Sequence, residues 1–376
     1  MAEFAYIIIG GGMAGASAGY ELSAHGPVVV LERESQPGYH TTGRSAAVYS
    51  EAYGNATIRG LTTGGRGFFM DPPAGFADHP ILTPRGAMFV GRADQLDALD
   101  RTAEESSTLV KTIRRIDTAE VLGAVPALRS DYVAGGVMEP DAMDIDVNGL
   151  HQGFLRGLTA RGGSVVTNAD VQAVERAGGV WRVRTSAGDF SAPVLLNAAG
   201  SWCDKIAALA GAEPIGLVPK RRTAITFDPP ADAEIASWPA VVDVDEQFYF
   251  KPDADQLMGS PADETPSEPC DAQPEEIDIA IAVDRIEKAT EFKIGRLNSR
   301  WAGLRSFVAD KTPVIGYDRA AEGFFWVAGQ GGYGIQTAPA LGRFVASLAT
   351  GQGIPSDLRD LGVEQAALDP ARCQAD

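Results

Sequence analysis

Cysteine is scarce in this chain: Cys203, Cys270 and Cys373 are too few and too scattered for a disulfide framework or a zinc cluster. The four histidines, His25, His40, His79 and His151, stand at no metal-ligand spacing. No metal is expected. Basic residues are outnumbered, 32 Lys and Arg against 50 Asp and Glu, giving a formal net charge of −18. An acidic field repels nucleic-acid phosphates and anionic lipid alike, so the charge is read as solubility. No uninterrupted apolar run approaches the roughly 20 residues that span a bilayer. The apolar run near the N-terminus lacks the basic flank of a secretory signal and is broken by glycines. These absences together point to a cytoplasmic protein with no nucleic-acid partner and no membrane span.

What is present is a chain of 376 residues, 45% of them hydrophobic, long enough for two domains with filled cores. Its organising stretch is the first thirty-odd residues. An apolar run over 5–9 ends at Gly10, and Gly12 and Gly15 complete G-x-G-x-x-G before a helical pattern over 16–22. The first glycine allows a tight turn, the second lets a pyrophosphate approach bare backbone, and the third lets helix pack on strand. A second apolar run over 28–31 ends in Glu32, about where an acidic group holds a ribose hydroxyl. Strand, glycines, helix, strand and Glu32 in register predict a dinucleotide site, a fingerprint that serves FAD and NAD equally.

Further along, residues 36–47 are rich in small and hydroxyl side chains and read as a loop able to wrap a ligand. Residues 82–90 read as a strand, 93–115 as an exposed charged helix, and Asp117 with Glu120 as a capped helix start. A helix is expected from Asp146, a strand over 164–171, a ribbon at 181–185 and a buried strand over 192–200 followed by a helix. Strands are expected at 218–227, 240–244 and 247–251, a polar surface loop at 261–274 and a helix over 277–290. Residues 323–337 repeat the strand and glycine-cluster theme before a helix over 338–349. Backbone amides there would cradle an electron-rich group.

Five motifs in order carry a resemblance that runs essentially from end to end: residues 9–17, 38–47, 219–222, 301–305 and 330–336. They resemble the glycine oxidase and D-amino acid dehydrogenase group of FAD-dependent oxidoreductases, with the nearest resemblance to bacterial D-arginine dehydrogenases. The resemblance implies an α/β protein with a discontinuous Rossmann-type FAD domain (1–71, 144–218 and 299–376). A second α+β substrate domain on a mostly antiparallel sheet (72–143 and 219–298) completes it. It implies non-covalent FAD bound by Gly10, Gly12, Ala14, Gly15, Glu32 and Arg33, with Val171 contacting adenine. Thr41, Thr42, Gly43, Arg44, Ser45, Ala46, Ala47 and Val48 would line the pyrophosphate and flavin; Gly331, Gly332, Tyr333, Gly334, Ile335 and Gln336 would border the isoalloxazine.

For substrate the resemblance implies Arg222 and Arg305 on a carboxylate, Tyr53 and Tyr249 beside them, and the Gly332 carbonyl on the amine, with Gln336, Val48 and Ala87 around the side chain. A guanidinium fork matches a carboxylate, and two of them both orient and neutralise it. The implied reaction is oxidative deamination of an amino acid by hydride transfer from Cα to flavin N5, with oxygen or a quinone as electron acceptor and no catalytic base assigned. Two positions depart from the arginine-oxidising pattern: Val48 stands where that group has a histidine, and Ala87 where it has a glutamate. A neutral, apolar side chain is therefore expected, with Glu51 the one acid near Tyr53 that could recruit a cation. Glycine, sarcosine or another secondary amine is the alternative substrate, and a flavoprotein or NAD-binding protein without an amine substrate the alternative class.

Overall fold

A computed structural model describes residues 3–374. Tyr6–Ile9, Val28–Leu31 and Val194–Asn197 are runs of YIII, VVVL and VLLN, apolar without interruption because both faces of the sheet they form are covered. Alternate side chains serve the two sides. Tyr6, Ile8, Val28 and Val30 pack with Leu22, Leu158, Leu341 and Phe344. Ile7, Ile9, Val29 and Leu31 pack with Trp181, Val183, Cys203 and Ile206. The first cluster lies under the helices Met13–Leu22, Val147–Ala160 and Ala338–Ala349. The second lies under the helix Cys203–Ala210 and an antiparallel meander, Val171–Ala177, Val180–Thr185 and Gly188–Ala192.

The complete sheet has six strands in the order Val314–Tyr317, Phe324–Ala328, Val194–Asn197, Tyr6–Ile9, Val28–Leu31, Ser164–Val166. Only the first runs antiparallel to its neighbour. This is the doubly wound architecture expected from the N-terminal fingerprint.

A second sheet of nine strands is built on Val218–Phe227, which pairs with Ser299–Phe307 over residues 218–226 and with the short strand Thr265–Pro266. It continues through Gln256–Ser260, Tyr249–Asp253, Ala240–Asp243, Ala87–Gly91 and Gly135–Glu139 to Arg114–Ile116. Only Ala240–Asp243 with Ala87–Gly91 is a parallel pair. The helix Glu276–Ala289 packs on its far face, where Ile279, Ala282 and Ile286 join one core with Met88, Val90, Val241 and Phe250. On the opposite face, Arg222, Ala224 and Tyr249 line a cavity together with Ile9, Leu31 and Ala198 of the first sheet's strand ends. A short sheet of Val48–Tyr49, Met143–Ile145 and Leu82–Pro84 lies where the chain passes between the two.

Three expectations need correction. A boundary at residue 298 would separate Ser299–Phe307 from its partner strand, so we place that strand in the second domain. The helix expected over 93–115 stops at Ser106, after a turn at Ala93–Gln95. The Ser107 and Thr108 hydroxyls bond the carbonyls of Glu104 and Glu105, offering the backbone a local alternative to the helix. Arg114–Ile116 is then free to pair as a strand. The strand expected over 164–171 is two strands, divided where Asn168 takes φ +53. No helix among the described residues is long and apolar enough to cross a membrane.

Candidate active site

The carboxyl ends of the parallel strands open on a cavity of about 370 Å³, the place where open α/β sheets bind ligands. The fingerprint glycines divide the work. A Cβ at Gly10, which has φ +106, would lie 2.3 Å from the Ala198 carbonyl oxygen, and one at Gly15 would lie 1.9 Å from the Gly10 oxygen. Gly12 meets only the Thr42 hydroxyl, at 3.3 Å, and its backbone borders the cavity. The same hydroxyl accepts the Met13 N–H at 3.0 Å, at the first turn of the helix. Gly15→Ala is expected to give folded protein with little flavin, because its clash is with backbone; absorbance of the purified variant, with circular dichroism as the folding check, reads this directly.

Glu32 accepts the Gly11 and Glu34 N–H groups at 2.8 and 2.9 Å, which leaves each carboxylate oxygen a further lone pair. His151 is buried and donates Nε2–H to the Gly11 carbonyl at 2.8 Å. Burial pulls its pKa below the ordinary value, and the ring serves as a strut for the glycine turn. Its position was open to sequence reasoning, since it shares a helical stripe with Phe154 and Leu158. Ala14, Arg33, Thr41, Ser45, Ala46, Val171, Gly331, Gly332, Gly334 and Ile335 line this cavity.

A smaller space of about 90 Å³ adjoins it, and Arg222, Tyr249, Arg305 and Gly332 line both. Strand alternation explains the selection. Lys220, Arg222 and Ala224 share one face of Val218–Phe227, whereas Arg221 turns to the other and pairs with Asp278 at 3.0 Å. On the partner strand Arg305 stands opposite Lys220, two residues along from Gly303 opposite Arg222, so the two guanidiniums are diagonal neighbours on one face. Ala87, Phe89, Ala240, Val242, Tyr249 and Lys251 continue that face and line the smaller space; the residues between several of them form the far core.

Arg222 is 7% exposed. Its Nε donates to the Asp263 carbonyl at 2.9 Å, while Nη2 lies 3.6 Å from Glu264 Oε1 and makes no hydrogen bond. The loop expected only as a polar surface segment thus supplies the brace for this arginine. Burial works against charge on Arg305, but Tyr53, Tyr249 and Glu246 outweigh it and hold its pKa above the ordinary value. A Cβ on Gly332 would lie 2.8 Å from Arg305 Nη1, so only glycine lets the guanidinium settle there.

Several expected residues stand elsewhere. Gly15 and Gly43 pack beneath the lining, against the Gly10 and Gly38 carbonyls. Arg44 does line the larger cavity, while its guanidinium bonds the Ala272 and Ala302 carbonyls and Asp271. Tyr333 lines neither space; its ring packs on Tyr53 and Phe307 at centroid distances of 5.1 and 6.3 Å. Gln336 lines the smaller space, but its amide nitrogen donates to Ser50 O and Thr62 Oγ1. Ala47, Val48, Ala87 and Tyr53 all line that space. Glu51 does not: it faces Tyr49 OH at 2.5 Å and Arg66 at 3.1 Å. The acid that does line it is Glu246, overlooked in the sequence because it sits on a tight turn with φ +53 between two strands.

The cavity at the glycine turn thus adjoins a smaller space lined by two arginines. The chain belongs to the FAD dependent oxidoreductase (DAO) family, whose model matches residues 5–348. FAD is the cofactor. Among curated relatives, an uncharacterized oxidoreductase, YurR, of Bacillus subtilis is 24% identical over 372 residues, covering 94% of this chain and 96% of its own. Similar solved structures include glycine oxidase from Geobacillus kaustophilus, with 18% identity, TM-score 0.81, and coverage of 96% of this chain and 98% of that one. L-proline dehydrogenase from P. horikoshii has 19% identity, TM-score 0.80, and coverage of 99% and 98%.

Proposed function

We propose that this enzyme oxidises a D-amino acid with a neutral, apolar side chain to the imino acid, which water converts to a 2-keto acid and ammonia. The observation that carries the reading is the pair of guanidiniums on one face at the junction of the two spaces, with a buried Arg222 donor left open. A buried donor without a partner costs about 1–3 kcal/mol, a cost that a bound carboxylate removes.

Bound FAD would supply a hydride acceptor at N5. Arg222 and Arg305 hold the carboxylate, Tyr53 and Tyr249 stand beside it, and the Gly332 carbonyl accepts from the amine, which together fix the direction of the Cα–H bond. Such alignment supplies much of the acceleration in a hydride transfer. The amine sheds its proton before the hydride leaves, because a protonated nitrogen has no lone pair to push towards Cα. We assign no side chain as base: Val48 has no titratable group, and desolvation lowers the pKa of the substrate ammonium.

Two relatives in fold, a glycine oxidase and an L-proline dehydrogenase, set the competing substrates. Steady-state kinetics with an artificial acceptor across D-leucine, D-methionine, L-leucine, glycine, sarcosine and L-proline tests the reading, with D-leucine or D-methionine expected to lead. A lead for sarcosine or L-proline would move the assignment to secondary amines. Hydrogen peroxide formation in air distinguishes oxygen from a quinone as acceptor.

A further inference from the structure

We propose that Glu139 is the positioning residue for Tyr53: its buried carboxylate fixes the backbone of residues 50–52 and so places the phenol beside Arg305. The proposal rests on the amino acid reading above. Glu139 ends the strand Gly135–Glu139 directly opposite Ala87. Opposed residues of an antiparallel pair share a face, so its side chain projects on the cavity side of the sheet, where the residue is 1% exposed.

There the carboxylate accepts from Ser50 Oγ at 2.5 Å, the Glu51 N–H at 2.8 Å and the Ala52 N–H at 3.3 Å. Three consecutive residues of one segment converge on one side chain. No cation is among its partners, and burial pushes its pKa up to about 7. A carboxyl is costly to bury in this way unless its hydrogen bonds are met, and here the segment before Tyr53 meets them.

The dependence is mutual. Residues 50–54 lie outside any strand or helix, between the strand Val48–Tyr49 and the helix Ala56–Met70. From the cofactor side Gln336 donates to the Ser50 carbonyl at 3.3 Å. From the other side Glu139 takes the next two N–H groups. The following residue is Tyr53, whose ring leans on Tyr333 and lines the smaller space with Arg305. Without the carboxylate, two buried N–H groups lose their partner and the segment must move to satisfy them.

The test compares Glu139→Met, which keeps length but accepts no hydrogen bond from N–H, with Glu139→Gln, which keeps a carbonyl acceptor. In the flavin-loaded enzyme Glu139→Met is expected to raise the KM for the best amino acid about tenfold while kcat changes less than threefold. Glu139→Gln should return KM to within threefold of the parent. Combined with Tyr53→Phe, Glu139→Met should add little to the loss already caused by Tyr53→Phe, because both act through one phenol.

An unchanged KM in Glu139→Met, equal damage in Met and Gln variants, or full additivity with Tyr53→Phe would overturn the proposal. Should Glu139→Met not retain flavin, Glu139→Asp, withdrawn by one methylene, is read by the same criteria. Benzoate binding, followed by the flavin absorption spectrum, separates this failure from that of the proposed function. If no amino acid reduces the parent enzyme, the function is wrong, and a benzoate affinity weakened in Glu139→Met but restored in Glu139→Gln still supports the positioning role. Equal benzoate affinity in all three proteins rejects it.

Discussion

Arg305→Met is expected to raise the KM for the amino acid substrate roughly 150-fold while FAD stays bound. A carboxylate held by a guanidinium fork makes two charge-assisted hydrogen bonds, and about 3 kcal/mol is a moderate value for the pair; each 1.4 kcal/mol is about tenfold. Methionine matches the stem of arginine and removes only the head, so the contact with Gly332 relaxes without a large cavity. The flavin cradle is untouched, since the glycine turn, Thr42 and Glu32 are built from other elements. Arg222→Met should be at least as damaging, because it also strips the Asp263 carbonyl of its buried partner. Steady-state kinetics, with flavin content measured after gel filtration, check both variants. An unchanged KM in Arg305→Met would remove it from the carboxylate site.

The second large effect is selectivity: D-leucine or D-methionine should exceed D-arginine and D-lysine several hundredfold in kcat/KM. The rest of the lining presents Val48, Ala87, Phe89, Ala240 and Val242. Its one cation, Lys251, bonds Asp144 at 2.7 Å, and Arg85 takes the other oxygen of the same carboxylate at 2.7 Å. Two cations on one anion leave that end positive, which opposes a third cation. A buried charge without a partner costs about 3–5 kcal/mol, which corresponds to several hundredfold or more. Glu246 acts on Arg305, Tyr53 and Tyr333, which ties its charge to the carboxylate end. A lead for the basic substrates would reverse this assignment, and Glu246→Gln should then abolish it selectively.

The parts legible in the sequence were those with strong local grammar. The glycine fingerprint, the apolar strand runs and the capped helix at Asp117 each declare themselves within a few residues, and Asp117 and Glu120 do form the reciprocal cap. The two arginines were legible only through resemblance. Their meeting depends on the register of Val218–Phe227 against Ser299–Phe307, strands some eighty residues apart, and no local pattern encodes that pairing. Glu246 and Glu139 were missed for the same reason: one sits on a two-strand turn and the other at a strand end, and only the folded sheet aims them at the site. Glu51, the acid near Tyr53 that could recruit a cation, does not reach the site because the chain leaves the extended conformation after Tyr49 and carries it to Arg66.

Anaerobic mixing of the flavin-loaded enzyme with single enantiomers, followed by flavin absorbance, tests the central claim most directly. D-Leucine or D-methionine should bleach the flavin rapidly and saturably, with L-leucine at least a hundredfold slower and Arg305→Met requiring far higher substrate for the same rate. A flavin left oxidised by every D-amino acid, or reduced faster by the L-enantiomer, would contradict it.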